Sequence, residues 1–212
     1  MAYVLHYMDL RARGEPGRWV LKALRQEYTE DRINILTQWA GKKKDFEFEV
    51  CPVLMVDGQQ LHQTLVICRY LGEKHNLASS DLWTATRQQE LMESLHDVSN
   101  YVATAFISRL RGNLETAAAN VKQVKVRIPV VLRNLEARIS NQGWIHSDQM
   151  TWVDVAMAAC LDIYQDMMGK DLLVDYPRSQ ALLASIKALP PVADWVTERP
   201  PFSKFEDPEG LF

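Results

Sequence analysis

The sequence predicts an α/β domain at the N-terminus, followed by an all-helical domain. Over about the first 75 residues, short apolar strand patterns alternate with helix patterns, whereas beyond residue 82 apolar residues recur only at helical spacing. The polar segment at residues 76–81 separates the two patterns. We therefore assign residues 1–76 to the first domain, residues 82–200 to the second and residues 201–212 to a C-terminal tail.

The first domain is predicted to be built from short strands and helices in alternation. In chain order these are a strand at 3–8, a helix at 15–25, a strand at 28–33, a short helix at 37–44, a hairpin at 53–62 and a helix at 64–74. Asp57-Gly58 is the expected hairpin turn. This order is that of a thioredoxin-like domain, and a right-handed crossover makes its first two strands parallel.

The second domain is predicted to surround one buried helix with amphipathic ones. The expected helices span residues 82–111, 115–140, 153–163, 179–188 and 191–199. Pro129 is expected to kink the second of them, because proline lacks the N–H that bonds one turn back. Thr151 and Asp154 form a predicted capping box in front of the nearly all-apolar run 153–163, which should therefore lie at the centre of this domain.

Composition is that of an ordinary globular protein. Of the 212 residues, 47% are hydrophobic and 24% charged, and the net charge is −3, which does not suggest binding to nucleic acid. No apolar run approaches the roughly 20 residues of a membrane helix, and no secretion signal is evident, so we expect a cytoplasmic location. Cys51, Cys68 and Cys160 are odd in number and widely spaced, which argues against a disulfide framework or a zinc site.

The segment from Cys51 to Thr64 has the pattern of a binding site for a small peptide that carries a carboxylate. It reads as a proline bend, a hairpin and the start of a helix, whose free N–H groups and dipole attract negative charge. Tyr7 closes the first strand, and the loop to Arg13 places a hydroxyl and a guanidinium at the same edge of the sheet.

These features, in this order, resemble the cytosolic glutathione transferases, and most of all the sigma class, which includes glutathione-dependent prostaglandin D synthases and lens S-crystallins. The resemblance runs from residue 3 to around residue 200. Its anchors are Leu5-His6-Tyr7, Arg13-Gly14-Glu15-Pro16, Trp39 with Lys43, Pro52-Val53-Leu54, Gln63-Thr64, Arg69-Tyr70-Leu71, Asp97 and Thr151-Trp152-Val153-Asp154.

The resemblance implies that Tyr7 and Arg13 are the catalytic residues and that glutathione is the cosubstrate. Tyr7 would donate its hydroxyl proton to the glutathione thiolate, and Arg13 would stabilise that thiolate or control access to the electrophile. Without the resemblance, Tyr7 could be a core tyrosine bonded to a carbonyl. Arg13 could likewise be a surface arginine paired with an acid such as Glu15.

The resemblance also assigns residues to the two ends of glutathione. Gln63 and Thr64 would hold the γ-glutamyl carboxylate, Trp39 and Lys43 the glycine end, and Asp97 the γ-glutamyl ammonium across a homodimer interface. Val50, Cys51 and a cis Pro52 would contact the cysteinyl backbone. The alternatives are a simple helix cap at Thr64, a solvated basic helix at residues 39–43, an exposed acid at Asp97, and an inert or redox-sensitive thiol at Cys51.

The electrophile pocket is expected at the helical domain, with the electrophile held over that domain. Its walls would be formed by Met8, Leu10, Arg13, Ser99, Ala103, Thr104, Ala156 and Cys160. Many of these side chains are small, which favours a roomy pocket able to hold a flexible lipid. Glu93, His96 and Asp97 share a helix face, but oxygen ligands on one exposed face bind cations loosely, so we expect no metal site.

Glu49-Val50 departs from the family pattern, where Gly-Lys or Gly-Gln is common. Glu49 adds negative charge near the glycine end of glutathione and replaces a residue that adopts positive φ easily, so weaker glutathione binding is expected. Phe46 and Phe48, in the same segment, are alternatively interface residues that pack against a second subunit.

The sequence thus predicts a cytoplasmic, homodimeric glutathione transferase acting on hydrophobic electrophiles in detoxification, with prostaglandin H2 to D2 isomerisation as an additional activity. Its partners would be glutathione and the electrophile, without nucleic acid or membrane. The main alternative is a non-enzymatic S-crystallin or ligand carrier with weakened glutathione binding. An interaction module of a larger assembly is a third reading that no further sequence feature supports.

Overall fold

A computed structural model describes residues 3–200, so the predicted tail at 201–212 lies outside the described residues. Four strands form one mixed sheet in the order β2-β1-β3-β4. They are β1 (Tyr3–Met8), β2 (Tyr28–Ile33), β3 (Val53–Val56) and β4 (Gln59–His62). β1 pairs parallel with β2, with Tyr7 opposite Arg32, and antiparallel with β3, with His6 opposite Val53. The parallel pairing and the Asp57-Gly58 hairpin are as predicted.

Three helices accompany the sheet: α1 (Glu15–Ala23), α2 (Trp39–Lys42) and α3 (Thr64–Lys74). The bounds of α3 are those predicted, whereas α1 ends two residues early. The predicted helix at 37–44 is a single α-turn continued by a 3₁₀ turn at Lys43–Asp45. A further 3₁₀ turn, Ala12–Gly14, ends the loop that was predicted to lead from Tyr7 to Arg13. It brings the chain from Tyr7 directly into α1.

Helices are the main elements of the second domain in the part that the structure describes, and the loop between residues 139 and 151 carries two isolated β-bridges. Its helices are α4 (Leu82–Leu110), α5 (Leu114–Arg138), α6 (Trp152–Met168), α7 (Pro177–Lys187) and α8 (Pro190–Glu198), with a 3₁₀ turn at Lys170–Leu173. Asp81 and Asn113 cap α4 and α5 by accepting from the backbone N–H three residues on. Gly112, at φ 75°, makes the reversal between them. Pro129 lies inside α5, which continues on both sides of it.

Helix α6 is the core of this domain, as its apolar sequence predicted. The Thr151–Asp154 capping box starts it. Asp154 also accepts from the backbone N–H of Ile145 at 2.8 Å, which ties the preceding loop to the helix start. Helix α3 of the first domain approaches closely, because a Cβ at Gly72 would lie 2.4 Å from the Trp152 ring. The two domains therefore meet along α1, α3 and α6.

A cluster of buried charges joins the domains beside these helices. Glu15 accepts from Arg18 at 3.1 Å and from Arg199 at 2.9 Å. Arg199 also donates to Asp162 of α6 at 2.6 Å, and Lys187 donates to the same carboxylate at 2.7 Å. The sequence analysis did not anticipate this cluster. Through Arg199 and Glu15, the cluster holds the end of α8 against the start of α1.

Candidate functional site

Tyr7 lies at the end of β1, where the sheet meets the helical domain. Its side chain is 5% exposed and packs with Met8, Leu10 and Phe46. The backbone N–H of Arg13 donates to the Tyr7 hydroxyl oxygen across 3.0 Å. The hydroxyl thus acts as acceptor toward a backbone amide, and the alternative of a core tyrosine bonded to a carbonyl is not what the structure contains. Its own proton stays available to a ligand.

The environment of Tyr7 keeps that proton on the oxygen. Burial raises the pKa of Tyr7 far above its ordinary value, and an electrostatic interaction with Cys51 acts in the same direction. Three weaker effects lower the pKa of Tyr7: the hydrogen bond from the Arg13 backbone, the charge of Arg18 and the charge of the Arg13 side chain. The Arg18 guanidinium also lies over the Tyr7 ring, 5.6 Å from its centroid. At neutral pH the site therefore presents a neutral hydroxyl donor.

Gly14 sets how closely the loop can approach Tyr7. A Cβ at this position would lie 2.3 Å from Cδ1 of the Tyr7 ring, so only glycine fits without displacing the ring. Arg18 supports the same loop by donating to the carbonyl of Leu10 at 2.7 Å. Neither role was predicted. For Gly14, the sequence signal that could have predicted this role was a glycine directly before a buried helix.

Arg13 reaches across to the helical domain. Its Nη2 donates to Oδ1 of Asn100 on α4 at 2.6 Å. The alternative that Arg13 pairs with Glu15 is wrong, because Glu15 is turned into the interior and is held there by Arg18 and Arg199. Asn100 was missed by the sequence analysis. It lies one helical turn from Asp97 and from Thr104, on the face where the pocket was expected.

The start of α3 differs in detail from what was predicted. Gln63, not Thr64, is the N-cap residue, and it is exposed at φ 73°. The Thr64 hydroxyl donates to the carbonyl of Arg13 at 2.9 Å, so the simple cap at Thr64 is wrong. That hydroxyl is also engaged away from a ligand carboxylate. No side chain caps α3, so the N–H groups of its first turn are not engaged by a side-chain cap.

Trp39 begins α2, and Lys43 begins the 3₁₀ turn that follows it. The Trp39 ring is stacked on Phe46, with centroids 6.2 Å apart. Phe46 is 5% exposed and packs within the subunit, so its prediction as an interface residue is wrong, whereas Phe48 is 61% exposed. Lys43 Nζ forms an ion pair with Oε2 of Glu49 at 2.6 Å. Glu49 adopts φ 49°, although a non-glycine residue was expected to resist positive φ.

Val50, Cys51 and Pro52 line the bend between these residues and β3. The Cys51–Pro52 bond is cis, as the resemblance implied. Val50 is 40% exposed, while Cys51 is half-buried against the Tyr7 cluster. Burial raises the pKa of the Cys51 thiol to about 11, so the thiol is protonated at neutral pH. This favours the inert over the redox-sensitive interpretation of Cys51.

The residues predicted to wall the electrophile pocket separate into two groups. Met8 and Leu10 pack around Tyr7, and Ser99, Ala103 and Thr104 lie along the α4 face that carries Asn100. Ala156 is fully buried in the main core, so it does not line an open pocket. Cys160 is half-buried, and burial raises its pKa to about 12. Tyr164, which was not predicted, hydrogen-bonds Ser99 through its hydroxyl at 2.9 Å.

Asp97 is exposed on α4, next to His96. Burial lowers the pKa of His96, and the nearby charge of Arg13 lowers it further. Across residues 3–200, no group of three or more histidine, cysteine, aspartate or glutamate side chains converges as a metal site. Over the same residues, no helix combines the length and the apolar character that crossing a membrane requires.

The chain is similar in sequence and fold to several known proteins. Residues 96–199 match the family model of the glutathione S-transferase C-terminal domain. Glutathione S-transferase S1 of Drosophila melanogaster is 28% identical, with 94% of this chain and 79% of that protein covered. Human hematopoietic prostaglandin D synthase is 27% identical, with 93% and 96% covered. The solved prostaglandin synthase D of Nilaparvata lugens has a TM-score of 0.81 and 25% identity over 95% of this chain and 100% of that one.

Proposed function

We propose that this chain, a member of the glutathione S-transferase family related to its sigma class, activates the thiol of glutathione for attack on hydrophobic electrophiles. The observation that carries the proposal is the Tyr7 hydroxyl, which accepts from the Arg13 N–H and keeps its own proton. A neutral hydroxyl that is already fixed as an acceptor is oriented to donate to a sulfur anion placed before it.

The energetic demand on this hydroxyl is modest. A free thiol with a pKa of about 8.5 is mostly protonated at neutral pH. Lowering that pKa by about two units takes about 3 kcal/mol, which one charge-assisted hydrogen bond and nearby dipoles can supply. The thiol proton leaves to solvent. The thiolate sulfur then gives an electron pair to the electrophilic carbon, the bond from that carbon to its leaving group breaks, and the leaving group departs with the electron pair of that bond. Arg13 supplies positive charge beside this reaction.

The remaining site residues serve the two ends of the peptide. The first-turn N–H groups of α3, including that of Thr64, hold the γ-glutamyl carboxylate together with Gln63. Trp39 and Lys43 face the glycine end, while Val50 and Cys51 offer backbone groups to the cysteinyl unit. Asp97 is exposed, which suits a homodimer in which the acid of one subunit meets the ammonium group bound by the other.

The electrophile would bind between the Tyr7 cluster and α4. Met8, Leu10, Ser99, Ala103 and Thr104 offer short or apolar side chains there. This setting suits conjugation of hydrophobic compounds in the cytoplasm, as in detoxification. The names of the relatives favour isomerisation of prostaglandin H2 as a second activity, in which glutathione would be regenerated.

The deciding experiment is a pH titration of thiolate absorbance for glutathione bound to the protein. In the native protein the thiol pKa should fall by about two units, and Tyr7→Phe should return it to about 8.5. Tyr176→Phe, in the helical domain, is the matched control and should behave as the native protein does. A thiol pKa that is unshifted in the native protein would contradict the proposal.

A non-enzymatic carrier is the second candidate, and the Lys43–Glu49 pair favours it. In this pair, Glu49 neutralises the lysine charge that would otherwise attract the glycine carboxylate. Saturable binding of glutathione without a lowered thiol pKa is the result expected of a carrier. The same titration therefore separates the two functions.

A further inference from the structure

Lys43 is neutralised before any ligand arrives. Its Nζ lies 2.6 Å from Oε2 of Glu49, and the two side chains are 39% and 53% exposed. A ligand carboxylate that approaches this lysine must compete with a carboxylate of the protein. It must also tolerate that second negative charge a few ångströms away.

Glu49 is held where it can compete. Its backbone N–H donates to the carbonyl of Phe46 at 2.9 Å, and Phe46 is itself buried against Trp39. The amide of Gln60, on β4, donates to the carbonyl of Asp45 at 2.9 Å and accepts from the N–H of Glu47 at 3.1 Å. The chain between Lys43 and Glu49 is thus tied to the sheet. The ion pair does not depend on a loose loop.

The neighbouring charges do not compensate for this loss. Lys42 forms its own ion pair with Asp31 on β2. Asp45 and Glu47 are exposed acids in the same segment, and Val50 supplies no donor beyond its backbone. Lys44 is the remaining lysine of this run, and it too is exposed. The surroundings of Lys43 are therefore poorer in positive charge than the sequence Lys42-Lys43-Lys44 suggests.

We infer that Glu49 is a specificity residue, which makes the site prefer γ-glutamyl thiol peptides with a C-terminal carboxamide over peptides with a free carboxylate. A carboxamide brings no negative charge toward Glu49, and its N–H can donate to the Glu49 carboxylate. The inference rests on the proposed function, because it takes Lys43 to lie at the glycine end of the bound peptide. It differs from that function in naming which peptide the site favours.

The test compares two nearly isosteric ligands, glutathione and its C-terminal carboxamide, by calorimetric titration. The native protein should bind the carboxamide about three to five times more tightly, which is the upper part of the scale of an exposed charge interaction. In Glu49→Gln, glutathione should gain that factor, and the preference should fall below about twofold. Glu47→Gln removes an exposed acid two residues away and should keep the native preference.

Lys43→Gln supplies a second arm. Because it leaves the Glu49 carboxylate without its cation, it should weaken glutathione binding by at least about threefold, leave carboxamide binding nearly unchanged and so widen the preference for the carboxamide. A native protein that binds both ligands equally, or that prefers the free carboxylate, would overturn the inference while leaving the proposed function intact. Failure of every variant to bind either ligand at millimolar concentration would overturn both.

Discussion

Arg199, which follows the last helix, donates to the Glu15 carboxylate at the start of α1 across 2.9 Å. The same carboxylate oxygen accepts from the indole N–H groups of Trp19 and Trp195, at 3.0 and 2.9 Å. Arg18, on the other side of Glu15, donates to the Leu10 carbonyl in the loop that follows Tyr7. Arg199 and the loop that follows Tyr7 are therefore linked through one buried acid.

Arg199→Met should lower the free energy of unfolding by about 2–4 kcal/mol, because removing one partner leaves two buried carboxylates short of a donor. Glu15 would keep Arg18 and the indoles, and Asp162 would keep Lys187, so the loss stays below the upper end for buried pairs. Urea unfolding measures it. Arg69→Met is the control: it breaks an exposed pair with Glu73 and should cost less than about 0.5 kcal/mol. Equal losses would mean that the buried cluster is not stabilising.

The stability of the protein should fall on the acid side. The charges of Arg18 and Arg199 outweigh burial and hold the pKa of Glu15 below its ordinary 4.5, and Lys187 and Arg199 likewise hold the pKa of Asp162 below 3.8. Because these pKa values are lowered by folding, the stabilisation is complete above the unfolded-state values and is lost as the pH falls through the folded ones.

Unfolding measured between pH 7 and pH 3 checks this expectation. The free energy of unfolding should begin to decrease below about pH 4.5 in the native protein. Glu15→Gln should be less stable at pH 7 and should lose less stability on acidification, because one of the responsible carboxylates is gone. Glu73→Gln, on the exposed face of α3, should follow the native curve. A Glu15→Gln curve parallel to the native one would contradict the assignment to Glu15.

Gly14→Ala should damage the site through a single methyl group. The added Cβ would sit 2.3 Å from the Tyr7 ring, so either the ring or the loop must move. We expect a loss of about 1–3 kcal/mol in stability and at least about a tenfold drop in kcat/KM for conjugation. Gly17→Ala, in the first turn of α1, which Gly14 precedes, is the matched control. Its Cβ would meet Ile67 at an ordinary 3.8 Å, so it should leave activity unchanged and gain about 0.5–1 kcal/mol.

The sequence was informative where a pattern is local. The strand alternation, the Asp57-Gly58 turn and the Thr151–Asp154 cap each lie within a few residues and were predicted correctly, because propensity and hydrogen bonding act over that range. The two 3₁₀ turns of the first domain were missed as such, since three residues carry no period. The Arg199–Glu15 contact joins residues 184 positions apart, and no local pattern encodes it. The Thr64 hydroxyl was misjudged for the same reason, since its acceptor lies in the Arg13 loop.

Asn100→Ala should separate the two roles of Arg13. The Arg13 backbone holds the Tyr7 hydroxyl, while its guanidinium is held by Asn100 at 2.6 Å. Removing the Asn100 amide frees the guanidinium but leaves the backbone contact, so the pKa of bound glutathione should stay lowered. Loss of one hydrogen bond to a charged group, about 1 kcal/mol in this exposed setting, should reduce kcat/KM about fivefold.

Asn120→Ala is the control for this change. The Asn120 amide donates to the Thr116 carbonyl within α5, in the helical domain, so its removal tests a helical asparagine with no link to Arg13. Kinetics of conjugation and the thiolate titration should be measured on both variants. If Asn100→Ala raises the thiol pKa as Tyr7→Phe does, the guanidinium and the hydroxyl act together on the thiolate. If instead only kcat/KM falls, Arg13 acts on the electrophile through a position that Asn100 sets.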